Sequence, residues 1–311
     1  VSINLFESIL FATIVAGTPL LLVALGELVT EKSGMLNLGA EGLMSVGAVS
    51  AFAIALTMDS TVAGLVAGMV AGILLSLVYG FITIHLMANQ VATGLAVAIF
   101  GVGLSAFLGK PFEAKVLEAV PRTVVPYLSD LPLIGRALFA QQWMVYVSWV
   151  LLALIIWFLA RTRAGLALKA VGESPVSAHA IGLPVIRIRY FAVMFGGAMA
   201  GLGGGFISVF HTPMWTEGMI AGKGWIALAL VVFATWRPSR VLLGAYLFGG
   251  VMISQLFFQS SEVQIEIPSQ FLSALPYLAT ILVLVLISSN VKMIRMNSPA
   301  SLGKPFLKEN A

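Results

Sequence analysis

The sequence predicts an all-α fold, a polytopic bundle of about eight to ten transmembrane helices, and three observations carry that prediction. The 311 residues are 59% hydrophobic and only 10% charged, with a mean hydropathy of +1.03, whereas soluble domains carry roughly a quarter charged residues. Apolar runs of about 20 residues follow one another along the chain, the length at which a helix satisfies all its backbone groups while crossing a bilayer. The 17 Lys and Arg residues lie in short loops between those runs and form no basic stripe. The net charge of +4 therefore speaks for membrane topology rather than for nucleic-acid binding. With no cysteine the chain has no disulfide, thiolate nucleophile or Cys-ligated metal.

Nine apolar spans are expected, at about 5–28, 39–57, 61–88, 90–109, 142–160, 190–211, 224–236, 239–258 and 276–291. Val1 to Leu10 has no basic region and no small-residue cleavage site, so it is read as the approach to the first span. The second span is interrupted by Gly39, Gly42 and Gly47, and the seventh is short; either can be bent or re-entrant. Twelve basic residues, among them Lys32, Arg161, Arg163, Arg187, Arg237 and Lys292, fall on one side of this arrangement. Five, Lys110, Lys115, Arg122, Arg136 and Lys223, fall on the other. The richer side is expected to be cytoplasmic, with the N-terminus outside. The single transmembrane domain then has a cytoplasmic loop at 161–189, an external loop at 110–141 rich in Pro111, Pro121, Pro126 and Pro132, and a cytoplasmic tail at 292–311.

Small residues at four-residue spacing let helix backbones approach closely in lipid. Gly64, Gly68 and Gly72 form one such row, and Gly197, Gly201 and Gly205 another; each reads as a packing face or as a wall that a solute slides past. Polar groups at membrane depth are costly and informative. Asn37 and Glu41, four apart around a Gly-rich break, are expected on one helical face near the cytoplasmic end of the second span, either capping broken helix ends or lining the translocation path or its inner gate. Glu27, Glu31 and Lys32 lie just before them. Asn89, Gln90 and Thr93 mark a loop and helix start, and are also candidates for a cavity lining. His85 and His211 lack a second ligand at metal spacing. Trp143, Trp149, Trp215 and Trp225, near span ends, read as interfacial anchors.

Enzyme signatures fail. The run Gly218 to Gly224 superficially resembles a phosphate loop, but its spacing is one residue short and Gly224 stands where a magnesium-binding Ser or Thr belongs. It is expected to be an external loop. No metal cluster, serine–base pairing or nucleotide-binding module is present in the sequence, so energy must come from an ion gradient or a partner. The cytoplasmic loop discriminates between them. Ser174 is a good N-cap, Pro175 a good first helical residue and Gly182 a good stop, which predicts a short helix over 175–181. A capped turn held outside the membrane between two spans is the shape that transmits motion from an attached motor. Glu173 and His179 are candidates for its polar contacts.

Glu31-Lys-Ser-Gly-Met-Leu-Asn37-Leu-Gly39-Ala-Glu41-Gly42 resembles the signature of permeases in the branched-chain amino acid, monosaccharide and nucleoside group of ABC importers, closest to the simple-sugar and nucleoside branch. Ala170-Val-Gly-Glu-Ser-Pro, Ala180-Ile-Gly and the run Gly197-Ala-Met-Ala-Gly201 are similar to that group's coupling loop and following span. The resemblance implies an ABC importer permease-like bundle with a coupling helix at about 174–182, and Glu173, Ser174, Pro175, His179 and Gly182 as the residues that couple it to an ATPase. It implies no cofactor on this chain, with ATP and magnesium on a cytoplasmic ABC ATPase. It further implies a second permease subunit that is a paralogue, an external substrate-binding lipoprotein and a place in the bacterial inner or plasma membrane. Nucleosides come first as cargo, then simple sugars and branched-chain amino acids. The rival from another class is a secondary transporter driven by protons or sodium.

Overall fold

The computed structural model describes residues 3–259 apart from 130, 132 and 133, a few positions between 271 and 285, and residues 297–306. Eleven α-helices occur among these residues: α1 (Ile3–Lys32), α2 (Ala40–Met58), α3 (Thr61–Gly80), α4 (Gln90–Gly109), α5 (Gly135–Phe139), α6 (Trp143–Arg161), α7 (Arg163–Glu173), α8 (Pro175–Ala180), α9 (Val185–Phe206), α10 (Lys223–Phe233) and α11 (Pro238–Gln259). Six stretches, built on α1, α2, α3, α4, α6 and α9, are long and apolar enough to cross a bilayer, while α10 and α11 supply shorter apolar helices. The first eight expected spans thus each contain a helix. The ninth, 276–291, lies outside the described residues.

Local sequence signals start these helices where backbone donors would otherwise be orphaned. The side chains of Ser60, Asn89, Thr162 and Ser174 accept the N–H groups of Ala63, Ala92, Gly165 and Ser177. Two spans end in a π-helical turn, Phe81–His85 and Ile207–His211.

At the centre, α1, α2, α3 and α9 pack together with almost no room between backbones. A Cβ on Gly64 would lie 2.5 Å from the Ala51 carbonyl oxygen, and one on Gly197 would lie 2.5 Å from the Gly72 carbonyl oxygen. Gly47, Gly68 and Gly201 close on one another in the same way, and a Cβ on Gly205 would meet Ala51 at 2.9 Å. In lipid, where apolar burial gives no net drive, such contact is what associates helices. Both predicted glycine rows are helix seams. Gly42 and Gly47, expected to interrupt the second span, lie inside α2 and admit α4 and α9 to its backbone; the break comes at Gly39 alone.

The pairing of α1 with α9 is antiparallel: Thr30 donates to the Ala192 carbonyl, and Gly203 lies against Pro19 and Val23. Trp215 departs from the interfacial reading. It is 2% exposed, seated between Phe52 and Gly109, because the segment before α10 turns into the bundle and carries it inward. Trp143 meets Phe210 edge-on, Trp149 donates to the Tyr246 hydroxyl, and Trp225 remains exposed.

Candidate functional site

The candidate residues gather in two arrangements, one at the start of α2 and one on the loop of α7 and α8. After α1 ends, residues 33–39 run as a non-helical segment before α2 begins at Ala40. The Asn37 side chain accepts the Gly39 N–H at 2.8 Å, a local turn. Asn37 and Glu41 therefore do not share a helical face, contrary to the expectation: Gly39, with ψ of 2°, is the N-cap and puts Asn37 outside the helix.

Glu41 sits in the first turn of α2 and reaches across the bundle to the start of α10. Its Oε1 accepts the Gly222 N–H at 2.6 Å and its Oε2 the Gly224 N–H at 2.8 Å. One carboxylate thus takes two N–H groups at the N-terminus of α10, where orphan donors and the aligned peptide dipoles favour negative charge. A Cβ on Gly224 would lie 2.5 Å from the Glu41 nitrogen, so the approach requires glycine there. Glu41 and the run Gly218–Gly224 were expected near opposite faces of the membrane, yet they touch. The 11 residues of α10 measure about 16 Å, half of the ~30 Å hydrocarbon core. The helix ends where Trp236 donates to Glu31 at 2.6 Å, one residue before the end of α1. The short seventh span is a half-helix whose N-terminus lies at the depth of Glu41. Charge counting assigns a loop to a side but not the depth to which it dips, and residues 212–222 carry only Glu217 as a full charge.

The segment between α1 and α2 is held from both flanks. Gln90 Oε1 accepts the Leu36 N–H at 2.7 Å, and the buried Tyr79 hydroxyl donates to the Leu36 carbonyl at 2.6 Å. A Cβ on Gly94 would collide with the Leu38 nitrogen. Asn89 is taken up as the cap of α4, and Thr93 is buried in its first turn. A cavity of about 150 Å³ adjoins Glu41, lined also by Ser45, Ser105, Trp215, Thr216 and Glu217. Of the five path candidates, only Glu41 lines it. Leu117 donates to the Pro213 carbonyl at 2.8 Å, tying the 110–141 loop to the segment that leads to Gly222.

The second arrangement is α8. Ser174 caps it, accepting the Ser177 N–H at 3.2 Å; Pro175 is its first residue; Gly182, at φ +87°, ends it in the left-handed conformation that glycine takes without strain. This is the short helix the sequence predicted, one residue shorter. Ala178 is buried beneath it, whereas Val176 and Ile181 are 43% and 75% exposed. Glu173 and His179, read as outward polar contacts, have partners within the chain: Glu173 accepts the Ala300 N–H at 3.1 Å, and the His179 ring meets Phe306 edge-on. Sequence reasoning missed Tyr79, the two glycine donors to Glu41 and the docked segment 297–306. A buried Tyr on a glycine-rich face and the exposed-looking Phe306 in a charged tail were the available signals.

Comparison with known proteins adds the following. The family model described as branched-chain amino acid transport system / permease component matches residues 9–287. A candidate glucose ABC transporter permease of Haloferax volcanii is 37% identical, covering 97% of this chain and 98% of its own. The guanosine ABC transporter permease of Bacillus subtilis is 32% identical over 98% of both chains. The nucleoside ABC transporter permease of Lactococcus lactis is 30% identical over 91% of this chain and 93% of its own.

Proposed function

The chain belongs to the family of permease components of branched-chain amino acid transport systems, and from that premise we propose that it forms the translocation path of an ATP-driven uptake system for a nucleoside or related small polar solute. The observation that carries this reading is α8, a capped helix between two spans that turns Val176 and Ile181 to solvent. Exposed apolar side chains on so short a helix fit the groove of a partner subunit. The partner is a cytoplasmic ABC ATPase that supplies ATP and magnesium. A second permease subunit, a paralogue, completes the path, an external binding protein delivers the solute, and the assembly sits in the inner or plasma membrane. Closure of the motor on ATP displaces α8 and rearranges the bundle between outward- and inward-open states. Glu41, joining α2 to the half-helix α10, stands where such a rearrangement changes access to the path.

A simple sugar is the second cargo reading, favoured by the name of the Haloferax relative. Uptake of labelled nucleosides and glucose into cells bearing the complete system tests both. Uptake of one class that survives an uncoupler and stops on ATP depletion is expected. Uptake that collapses with the uncoupler and survives ATP depletion would show an ion-driven carrier and overturn the proposal. A thermal-shift screen of the external binding protein against the same solutes separates the cargo classes.

A further inference from the structure

The segment 297–306 is bound to four different parts of the cytoplasmic side at once. Lys32, the last residue of α1, donates from Nζ to the Asn297 carbonyl at 2.6 Å. Ser301 uses both its N–H, at 3.0 Å, and its hydroxyl, at 2.6 Å, to bond the Gly172 carbonyl at the end of α7. Gly303 donates to the Gly34 carbonyl at 3.1 Å, in the segment that leads to α2. Buried Arg189, in the first turns of α9, makes its one hydrogen bond among the described residues to the Lys304 carbonyl, at 3.3 Å. Phe306 is 8% exposed and closes a separate small core with Val171, Ala178 and Val185, the last two being the underside of α8 and the start of α9.

Ile188 of α9 packs against both this core and that of the bundle, so α8 is seated on the segment 297–306 together with α7 and the start of α9. The α1–α2 segment is in turn bonded to the same ten residues, three positions before Phe306. We infer that residues 297–306 link α8 mechanically to the α1–α2 segment, with Phe306 and Gly303 as positioning residues at the two ends. The inference rests on the reading of α8 as the coupling helix. A displacement of α8 reaches Gly34 and Leu36 through the short path Phe306 to Gly303, and Leu36 leads in three residues to the cap of α2. Elements joined in this way move together because packed interfaces shift as units rather than stretch.

The test uses the complete transporter in liposomes with its binding protein and ATP, measuring solute imported per ATP hydrolysed. Phe306→Ala removes the plug under α8. Gly303→Val forces a β-branched residue onto φ +74°, which displaces the N–H bonded to Gly34. Each variant is expected to co-purify with the ATPase and hydrolyse ATP, and each to lower import per ATP about tenfold, within the range of measured couplings between sites. Because both cut one link, the double variant is expected to be no worse than the poorer single variant. Losses that multiply mark two independent local defects and overturn the inference. So does unchanged import per ATP in either single variant. Loss of the ATPase on purification also overturns it, since the segment would then be a docking surface. Import by the unaltered protein that needs no ATP would instead sink the coupling reading itself, before any variant is compared.

Discussion

Glu41 accepts the N–H of Gly222 at 2.6 Å, across 181 positions of sequence. With the second bond to Gly224, the carboxylate replaces the solvent that would otherwise satisfy the start of α10. Glu41→Ala leaves one buried and one half-buried N–H group without an acceptor, a loss of roughly 2–5 kcal/mol. Glu41→Gln keeps one acceptor oxygen and loses the charge, so its cost is smaller, about 1–3 kcal/mol. Thermal unfolding of the detergent-purified protein should rank unaltered, Gln, then Ala, separated by several degrees. An Ala variant as stable as the unaltered chain would show that the bond holds nothing together.

Much of the bundle was legible because its signals are local or periodic. Ser174, Pro175 and Gly182 specify α8 within nine residues, and the glycine rows declare their seams by spacing. What escaped is what distance in sequence hides. Nothing near Glu41 says that its partner is Gly222, and nothing near Gly222 says that its loop dips to meet a carboxylate. The tail was read as cytoplasmic from Lys292, Arg295, Lys304 and Lys308, yet charge alone could not show that Ser301 and Phe306 among them would be buried. Trp215 misled for the same reason: its place at a span end suggested the interface, and its burial depends on the inward course of a loop.

The exposed face of α8 makes a separable prediction. Ile181 is 75% exposed, so Ile181→Asp should change the stability of the isolated subunit by no more than about 0.5 kcal/mol. The same substitution should prevent the ATPase from co-purifying and abolish uptake. Ser174→Ala, which removes the cap, is expected to cost about 1 kcal/mol locally and to weaken association partially. Full assembly and transport by Ile181→Asp would remove α8 from the interface.

Two glycines of α4 give an internal control for the packing argument. A Cβ on Gly101 would lie 2.6 Å from the Gly42 backbone, while one on Gly103 meets nothing within 4 Å. Gly101→Ala should therefore destabilise by about 1–3 kcal/mol through overpacking. Gly103→Ala should be neutral or stabilise by up to roughly 1 kcal/mol, since alanine loses less backbone freedom in a helix. Equal unfolding midpoints for the two variants would refute the close α2–α4 approach.

Leu36 offers the last prediction, because its N–H and carbonyl are bonded to side chains from two different helices. Gln90→Leu removes the acceptor of its N–H, and Tyr79→Phe the donor to its carbonyl. Each loss is worth about 1 kcal/mol, too little to unfold the bundle but enough to loosen the segment between α1 and α2. Hydrogen exchange reads this directly, since local opening is measured amide by amide. The Leu36 amide should exchange about five- to tenfold faster in Gln90→Leu, as expected for roughly 1–1.4 kcal/mol. Amides at the centre of α9 should be unchanged. In Tyr79→Phe the acceleration should be smaller, because the amide keeps its own acceptor and only the far side of the residue is freed. If exchange at Leu36 is unmoved in both variants, the segment is held by the backbone packing of Leu38 on Gly94 alone, and Gln90 and Tyr79 have no part in setting its position.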